Sequence, residues 1–271
     1  MEGADLVAAG LACGYRPQVV FVRAERGDEL VAALGLYAPA AGPPPAVYPV
    51  TERVASRIST LETPPDVSAV FPLLPKRPLS SLTGVTSPEA PALLPTGTRQ
   101  ARRGALVVYL DAVQDPGNVG TLLRAAVAFG AAAVVTGPGS ADLYGPKTVR
   151  SGMGALFAVP VAADVPLSGL TDALGAPRVY GLTAHGGTAL HEADLDLPAV
   201  LVVGSERHGI SAVSGRSVTD HVTIPLAPAR SGAVESLNAG VAGAIALYEF
   251  SRRSAGAPDD VRPRPAAPAK G

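Results

Sequence analysis

The sequence predicts an α/β fold: a parallel sheet covered by helices on both faces, preceded by a smaller α/β unit. Three observations predict it. Largely apolar runs at 106–110, 132–136, 179–182 and 199–203 alternate with helix-patterned stretches. Strands that are apolar at every position are buried on both faces, the usual condition of a parallel sheet. Residues 76–104, rich in Pro, Ser, Thr and Gly and without periodicity, read as a linker between a unit at 1–75 and a larger one at 105–252.

Leu6, Val7, Ala9, Gly10 and Leu11 recur at helical spacing across 3–14, and a β-branched run follows at 18–22. A helix at 28–34, a short strand at 47–50, a helix from Thr51 to near Ile58 and a strand at 69–71 complete the first unit. In the second, the strand at 106–110 leads into a helix at 116–129. Asp115 suits its N-cap and Pro116 its first position, and Gly130 stops it. A strand at 132–136, a turn at Gly137-Pro-Gly139, a helix at 147–153 and an extended piece at 159–161 come next. Strands at 179–182, 199–203 and 222–224 precede a closing helix at 237–252, for which Ser236 fits the N-cap. Residues 253–271 are full of Pro, Ala and charge, have little to bury, and read as a disordered tail.

Composition excludes several classes of protein. With 271 residues, 47% of them hydrophobic, the chain can bury a sizeable core; no Trp and five Phe make that core aliphatic. The single Cys13 excludes an internal disulfide and suits a reducing cytosol. No apolar run approaches the roughly 20 residues of a membrane span, and Glu2 and Asp5 stand where a secretory signal carries bases. The chain therefore reads as soluble and cytoplasmic, with no membrane partner. His185, His191, His208 and His221 are scattered without metal-ligand spacing, and no phosphate-binding loop or dinucleotide fingerprint follows a strand. A formal net charge of −1 counts against a simple nucleic-acid reading, since a protein that neutralises many phosphates usually shows a basic excess. RNA contact would rest on local clusters such as Lys76-Arg77, Arg99 with Arg102-Arg103, and Lys147 with Arg150, each of which also reads as solvated surface charge.

Three stretches carry chemistry. In Asp115-Pro-Gly-Asn-Val-Gly-Thr-Leu-Leu-Arg124, Asn118 lies in the first helical turn. Arg124 lies two turns on, able to lean toward the carboxyl edge where open α/β sheets bind ligands. Val202-Val-Gly-Ser-Glu-Arg-His-Gly-Ile210 is a strand ending at Gly204, where a missing side chain permits close backbone approach, followed by Glu206. Ile224-Pro225-Leu226 ends another strand; a loop at 227–235 then leads to Ser236-Leu237-Asn238 and a helix of small residues. Each alone has a plain structural reading: a second cap, a surface charge, a strand-end turn, an ordinary buried helix.

Taken together, their order and spacing resemble the motifs of the SpoU/TrmH family of RNA ribose 2′-O-methyltransferases, over 106–250. The resemblance implies a C-terminal trefoil-knotted (SPOUT-like) methyltransferase domain, a homodimer, and S-adenosylmethionine as methyl donor without a metal. It implies that Leu182, Thr183, Ala184, Gly204, Ile224, Leu226 and Leu237 hold the cofactor, and that Asn118, Glu206, Ser236 and Asn238 build the catalytic pocket. Arg124 is implied to be essential, either deprotonating the ribose hydroxyl or holding the adjacent phosphate. A guanidinium stays protonated and its planar fork suits phosphate, which favours the clamp and leaves the proton role open. A supporting stretch at 144–154 departs from the family pattern, with Gly145 in place of the usual Asn and Gly152 after Ser151. Residues 1–72 resemble the ribosomal-protein-like RNA-binding domain carried by members acting on large ribosomal RNA. Large-subunit ribosomal RNA is thus the expected substrate, with transfer RNA, or RNA binding without catalysis, as alternatives. That domain usually opens with a strand before the position of Glu2-Gly3, so a start upstream of Met1, or a truncated domain, is expected.

Overall fold

A computed structural model describes residues 1–37, 43–74, 105–227 and 235–255. The expected linker, most of the 227–235 loop and the tail beyond residue 255 lie outside the described residues. In the amino-terminal unit, strands Val19–Arg23 (β1), Ala46–Val50 (β2) and Val67–Val70 (β3) form a sheet of order β2-β1-β3, parallel on one side of β1 and antiparallel on the other. Helices Ala4–Ala12 (α1), Gly27–Ala33 (α2) and Glu52–Ile58 (α3) pack on it. Val7, Val20, Val22, Leu30, Leu36 and Val67 make its core. The last strand runs earlier than the predicted 69–71, because its pairing with β1 begins at Val67↔Val22. Backbone pairing, rather than the apolar run, sets its ends.

The second unit holds a seven-stranded sheet of order β6-β5-β4-β9-β7-β10-β8, every pair parallel. Its strands are Leu106–Asp111 (β4), Ala133–Thr136 (β5), Val161–Ala162 (β6), Arg178–Thr183 (β7), Thr188–Ala189 (β8), Ala199–Gly204 (β9) and Asp220–Thr223 (β10). Its helices are Pro116–Ala128 (α4), Pro146–Gly152 (α5), Ala155–Ala158 (α6), Leu167–Ala173 (α7), Ala212–Gly215 (α8) and Ala239–Ala255 (α9). Every residue of β4 and β9 is buried. Successive side chains go to opposite faces: Val108, Leu110, Leu201 and Val203 meet Leu122 and Leu123 of α4 and Leu247 and Phe250 of α9. Val107, Tyr109, Val200 and Val202 meet Leu167, Leu170 and Leu174 around α7. Burial on both faces is why these strands show no polar alternation, and each fully buried Val or Leu contributes roughly 1.5–3 kcal/mol.

Helix α7 is absent from the sequence reading. Its leucines are helically spaced, but Ser168, Gly169, Thr171 and Asp172 are weak helix formers, so packing against the sheet secures it. Helix α4 starts as expected: the Asp115 carboxylate accepts the Gly117 N–H at 2.7 Å. That bond, reinforced by Lys147, holds the Asp115 carboxyl below its ordinary range. Helix α4 packs against both α5 and α9. Gly120 brings it so close to α5 that a Cβ there would land on the Ser151 hydroxyl and 2.6 Å from the Thr148 carbonyl oxygen. Helix α9 begins at Ala239 rather than 237, and its cap is Asn238 rather than Ser236. The Asn238 side-chain oxygen accepts the Val241 N–H at 3.2 Å, the spacing a capping side chain requires. No helix among the described residues is long and apolar enough to cross a membrane.

The two units are in contact. Tyr15 and Phe71 pack on Phe157 of α6, with ring centroids 5.3 and 5.1 Å away. Arg150 of α5 donates to the Thr60 hydroxyl at 2.8 Å and lies 3.8 Å from the Glu2 carboxylate. Glu2 also accepts from Ser59 and Thr60. Burial pushes the Glu2 carboxyl upward, but these hydrogen bonds outweigh it and hold it below its usual value.

The far end of α9 is fastened by charge. Arg252 and Arg253 both donate to Glu249, and Arg253 also donates to the Ala193 carbonyl at 2.6 Å. The Arg252 hydrogen bond, joined by Arg253, holds the Glu249 carboxyl at about 2 against an ordinary 4.5. A carboxyl depressed by folding stabilises the fold while ionised, and that contribution is lost as pH falls through the folded value. Glu249→Gln should lower the melting temperature at neutral pH, and its deficit relative to the parent should narrow as pH falls from 4.5 toward about 2. Melting curves of both proteins across that range check it.

Candidate active site

In a parallel sheet all strands end on the same edge, and here three neighbouring strand ends enclose a cavity of about 640 Å³. Strand β7 contributes Leu182, Thr183 and Ala184, β9 contributes Gly204 and the turn after it, and the exit of β10 contributes Ile224 and Leu226. The segment entering α9 contributes Ser236, Leu237 and Asn238. The seven residues expected to hold a cofactor therefore lie on one wall system, together with Glu206, Ser236 and Asn238 of the five expected to be catalytic.

Asn118 and Arg124 are placed differently. Asn118 is buried behind the cavity and donates to the Glu206 carboxylate at 2.7 Å, so α4 and the turn after β9 are joined at the site. The Gln114 N–H approaches the other Glu206 oxygen at 3.4 Å. Gly240, at the start of α9, lets that helix approach Asn118 and Thr121 of α4. Arg124 lies on the exposed side of α4 and does not line the cavity. Within one chain the structure does not bring it to the other expected site residues.

The turn after β9 is tightly closed. Ser205 and Gly209 exchange backbone hydrogen bonds at 2.9 Å in each direction, and the His208 N–H donates to the Ser205 hydroxyl at 3.1 Å. The turn folds directly over Gly204, where a Cβ would collide with the Gly209 carbonyl and the Ile210 nitrogen. His185, Arg207 and His208, to which the sequence alone assigns no role, also line the cavity. Sequence reasoning missed Asp111, a buried carboxylate ending β4 that binds Ser211 and Ser214. The available signal was an acid closing an otherwise apolar strand, since a buried charge is costly unless hydrogen-bonded.

Residues 105–248 match the SpoU rRNA Methylase family. The chain belongs to that family. Among its members, it is 34% identical over 205 residues to the 23S rRNA (guanosine(2553)-2′-O)-methyltransferase RlmP of Bacillus subtilis, covering 75% of this chain and 71% of that protein. It is 37% identical over 161 residues to the 23S rRNA (uridine(2479)-2′-O)-methyltransferase of Streptomyces viridochromogenes, covering 56% of this chain and 54% of that protein. Among solved structures, the AdoMet-bound rRNA methyltransferase of Sinorhizobium meliloti superposes with a TM-score of 0.70 at 27% identity, covering 93% of this chain and 86% of that one. The family's methylase region thus coincides with the seven-stranded sheet, its helices and the cavity.

Gly204→Ala should force the turn off its seat at a cost of about 1–3 kcal/mol, as overpacking does. Hydrogen exchange checks it: the Ser205 and Gly209 amides should lose protection while those of β4 and β5 keep theirs.

Proposed function

We propose that this chain transfers the methyl group of S-adenosylmethionine to a ribose 2′-hydroxyl of RNA, with large-subunit ribosomal RNA as substrate. The observation that carries the reading is the convergence of the ends of β7, β9 and β10 and the start of α9 on one cavity beside Glu206 and Asn118, in a chain of this family. The cavity chemistry suits the donor. Leu182, Ile224, Leu226 and Leu237 offer an apolar slot for a purine, and the strand-end backbone around Gly204, Thr183 and Ala184 offers polar groups. Glu206 and Glu235 place carboxylates near a ligand that carries a sulfonium cation. When bound, that sulfonium supplies an electrophilic methyl and a neutral thioether leaving group.

The chain's own residues would hold, orient and exclude water. Glu206, fixed by Asn118, would order the ribose side of the cavity, with Ser236 and Asn238 at the entry to α9. Arg124 would hold the phosphate next to the target ribose, since its guanidinium stays charged and binds phosphate through two parallel bonds. Because Arg124 does not line its own chain's cavity, a second copy of the chain is part of this reading. Helix α9 supports it by exposing Val241 (47%), Ile245 (39%) and Tyr248 (52%) at one-turn spacing, beside the α4 that carries Arg124 and the 37% exposed Val127. The threaded chain path expected of the family belongs to the same reading. The amino-terminal unit would act as the RNA-targeting module, with Arg53 and Arg57 exposed one turn apart on α3.

Labelled methyl from S-adenosylmethionine should enter unmodified ribosomal RNA and persist as an alkali-resistant dinucleotide. Label confined to transfer RNA would overturn the substrate, and label in neither would overturn the activity. Arg124→Ala should lower turnover about a hundredfold or more, as loss of a positioning contact does, with S-adenosylmethionine affinity unchanged. Ile245→Asp should shift the sedimentation coefficient from that of a dimer to that of a monomer; a monomeric parent protein would remove the second copy from the reading.

A further inference from the structure

Asp111 is the last residue of β4, pairs in register with Gly204, and is 4% exposed. Its Oδ2 accepts the Ser211 N–H at 2.6 Å, and its Oδ1 accepts the Ser214 hydroxyl at 2.7 Å and the Ser211 hydroxyl at 3.3 Å. Among the described residues it has no ion pair. A buried carboxylate without a cation stabilises little that an apolar side chain would not, whereas removing its donors leaves a charge stranded at substantial cost. Such a group fixes geometry more than it adds stability.

What it fixes is the wall of the cavity. The chain leaves the sheet at Gly204, makes the turn that carries Glu206, Arg207 and His208, and returns at Ser211. One foot of that excursion is held by the β4–β9 ladder and the other by the Asp111 carboxylate, so both are tied to the end of the same strand. Ser211 in turn caps α8, its hydroxyl accepting the Ser214 N–H at 3.2 Å. The turn cannot swing outward without parting hydrogen bonds to a buried carboxylate.

We propose that Asp111 is a positioning residue for the S-adenosylmethionine cavity: through Ser211 and Ser214 it holds the Gly204–Gly209 wall and Glu206 in the binding-competent arrangement, touching neither ligand nor RNA. This rests on the function proposed above. A loosened wall is competent for only part of the time, which weakens apparent affinity in proportion.

The test uses the full chain and four proteins: parent, Asp111→Ala, Asp111→Asn and Ser214→Ala. Calorimetry gives S-adenosylmethionine affinity without RNA, and methyl-transfer assays give kcat and the KM for ribosomal RNA. Ser214→Ala, which removes one bond to the carboxylate, should weaken S-adenosylmethionine binding roughly tenfold and lower kcat, leaving the KM for RNA within about twofold. Asp111→Asn should recover part of what Asp111→Ala loses, because the amide oxygen can still accept the Ser211 N–H while its NH₂ donates to the Ser214 hydroxyl. If Asp111→Ala fails to fold, Ser214→Ala and Asp111→Asn decide the matter. Parent-like affinity and kcat in both, with only a lowered melting temperature, would overturn the proposal. Weakened S-adenosylmethionine binding in the variants of a parent that methylates no RNA would sustain Asp111's role and sink the RNA activity. A parent that does not bind S-adenosylmethionine would overturn both.

Discussion

The structure depends on the parallel pairing of β4 with β9, residue for residue from Leu106↔Ala199 to Asp111↔Gly204. Both strands are buried on both faces, so neither can slip without exposing apolar side chains or stranding backbone hydrogen bonds. Because the pair is parallel, both strands finish at the same level. That level is where the chain must turn, and a turn over a buried sheet edge leaves strand-end backbone groups facing a cavity. The site is thus a by-product of the core: the packing that buries β4 and β9 on both faces also delivers Gly204, Leu182 and the start of α4 to one place.

Legibility in the sequence followed the strength of local signals. The central strands could be read because burial on both faces writes an unbroken apolar run. Helix α4 could be read because Asp115, Pro116 and Gly130 each have one obvious use, and Gly130 indeed adopts a positive φ of 73° beyond its end. Helix α7 could not, since its stabilisation is tertiary and its polar positions disfavour helix. The cap of α9 was misassigned because Ser236 and Asn238 are both good capping residues, and only the backbone decides which one stands three residues before a free N–H. In the site, the strand-end residues were legible from their motifs. The placement of Arg124 was not, because exposure on a helix depends on what packs against its other sides: Leu122, Leu123 and Ala126 claim the core and leave Arg124 outward. Asp111 was missed because its partners lie about a hundred residues downstream, a separation no spacing rule covers.

Several polar residues, at the site and away from it, join one element to another. Asn118 reaches from α4 to Glu206, Asp111 from β4 to Ser211, and Arg253 from α9 to the carbonyls of the 190–193 turn. Each contact bridges a segment fixed by the sheet and one that would otherwise be held by loop backbone alone. The apolar core sets where the elements are, and these few charged or amide groups set where the loops between them stop.

Helix α5 touches both units, meeting Thr60 through Arg150 and pressing on α4 with no space at Gly120. The amino-terminal unit, α5 and α4 therefore stand in series without slack. The span between the amino-terminal unit and the cavity is thus set by packed helices, so a shift at Thr60 bears on α5 and through it on α4.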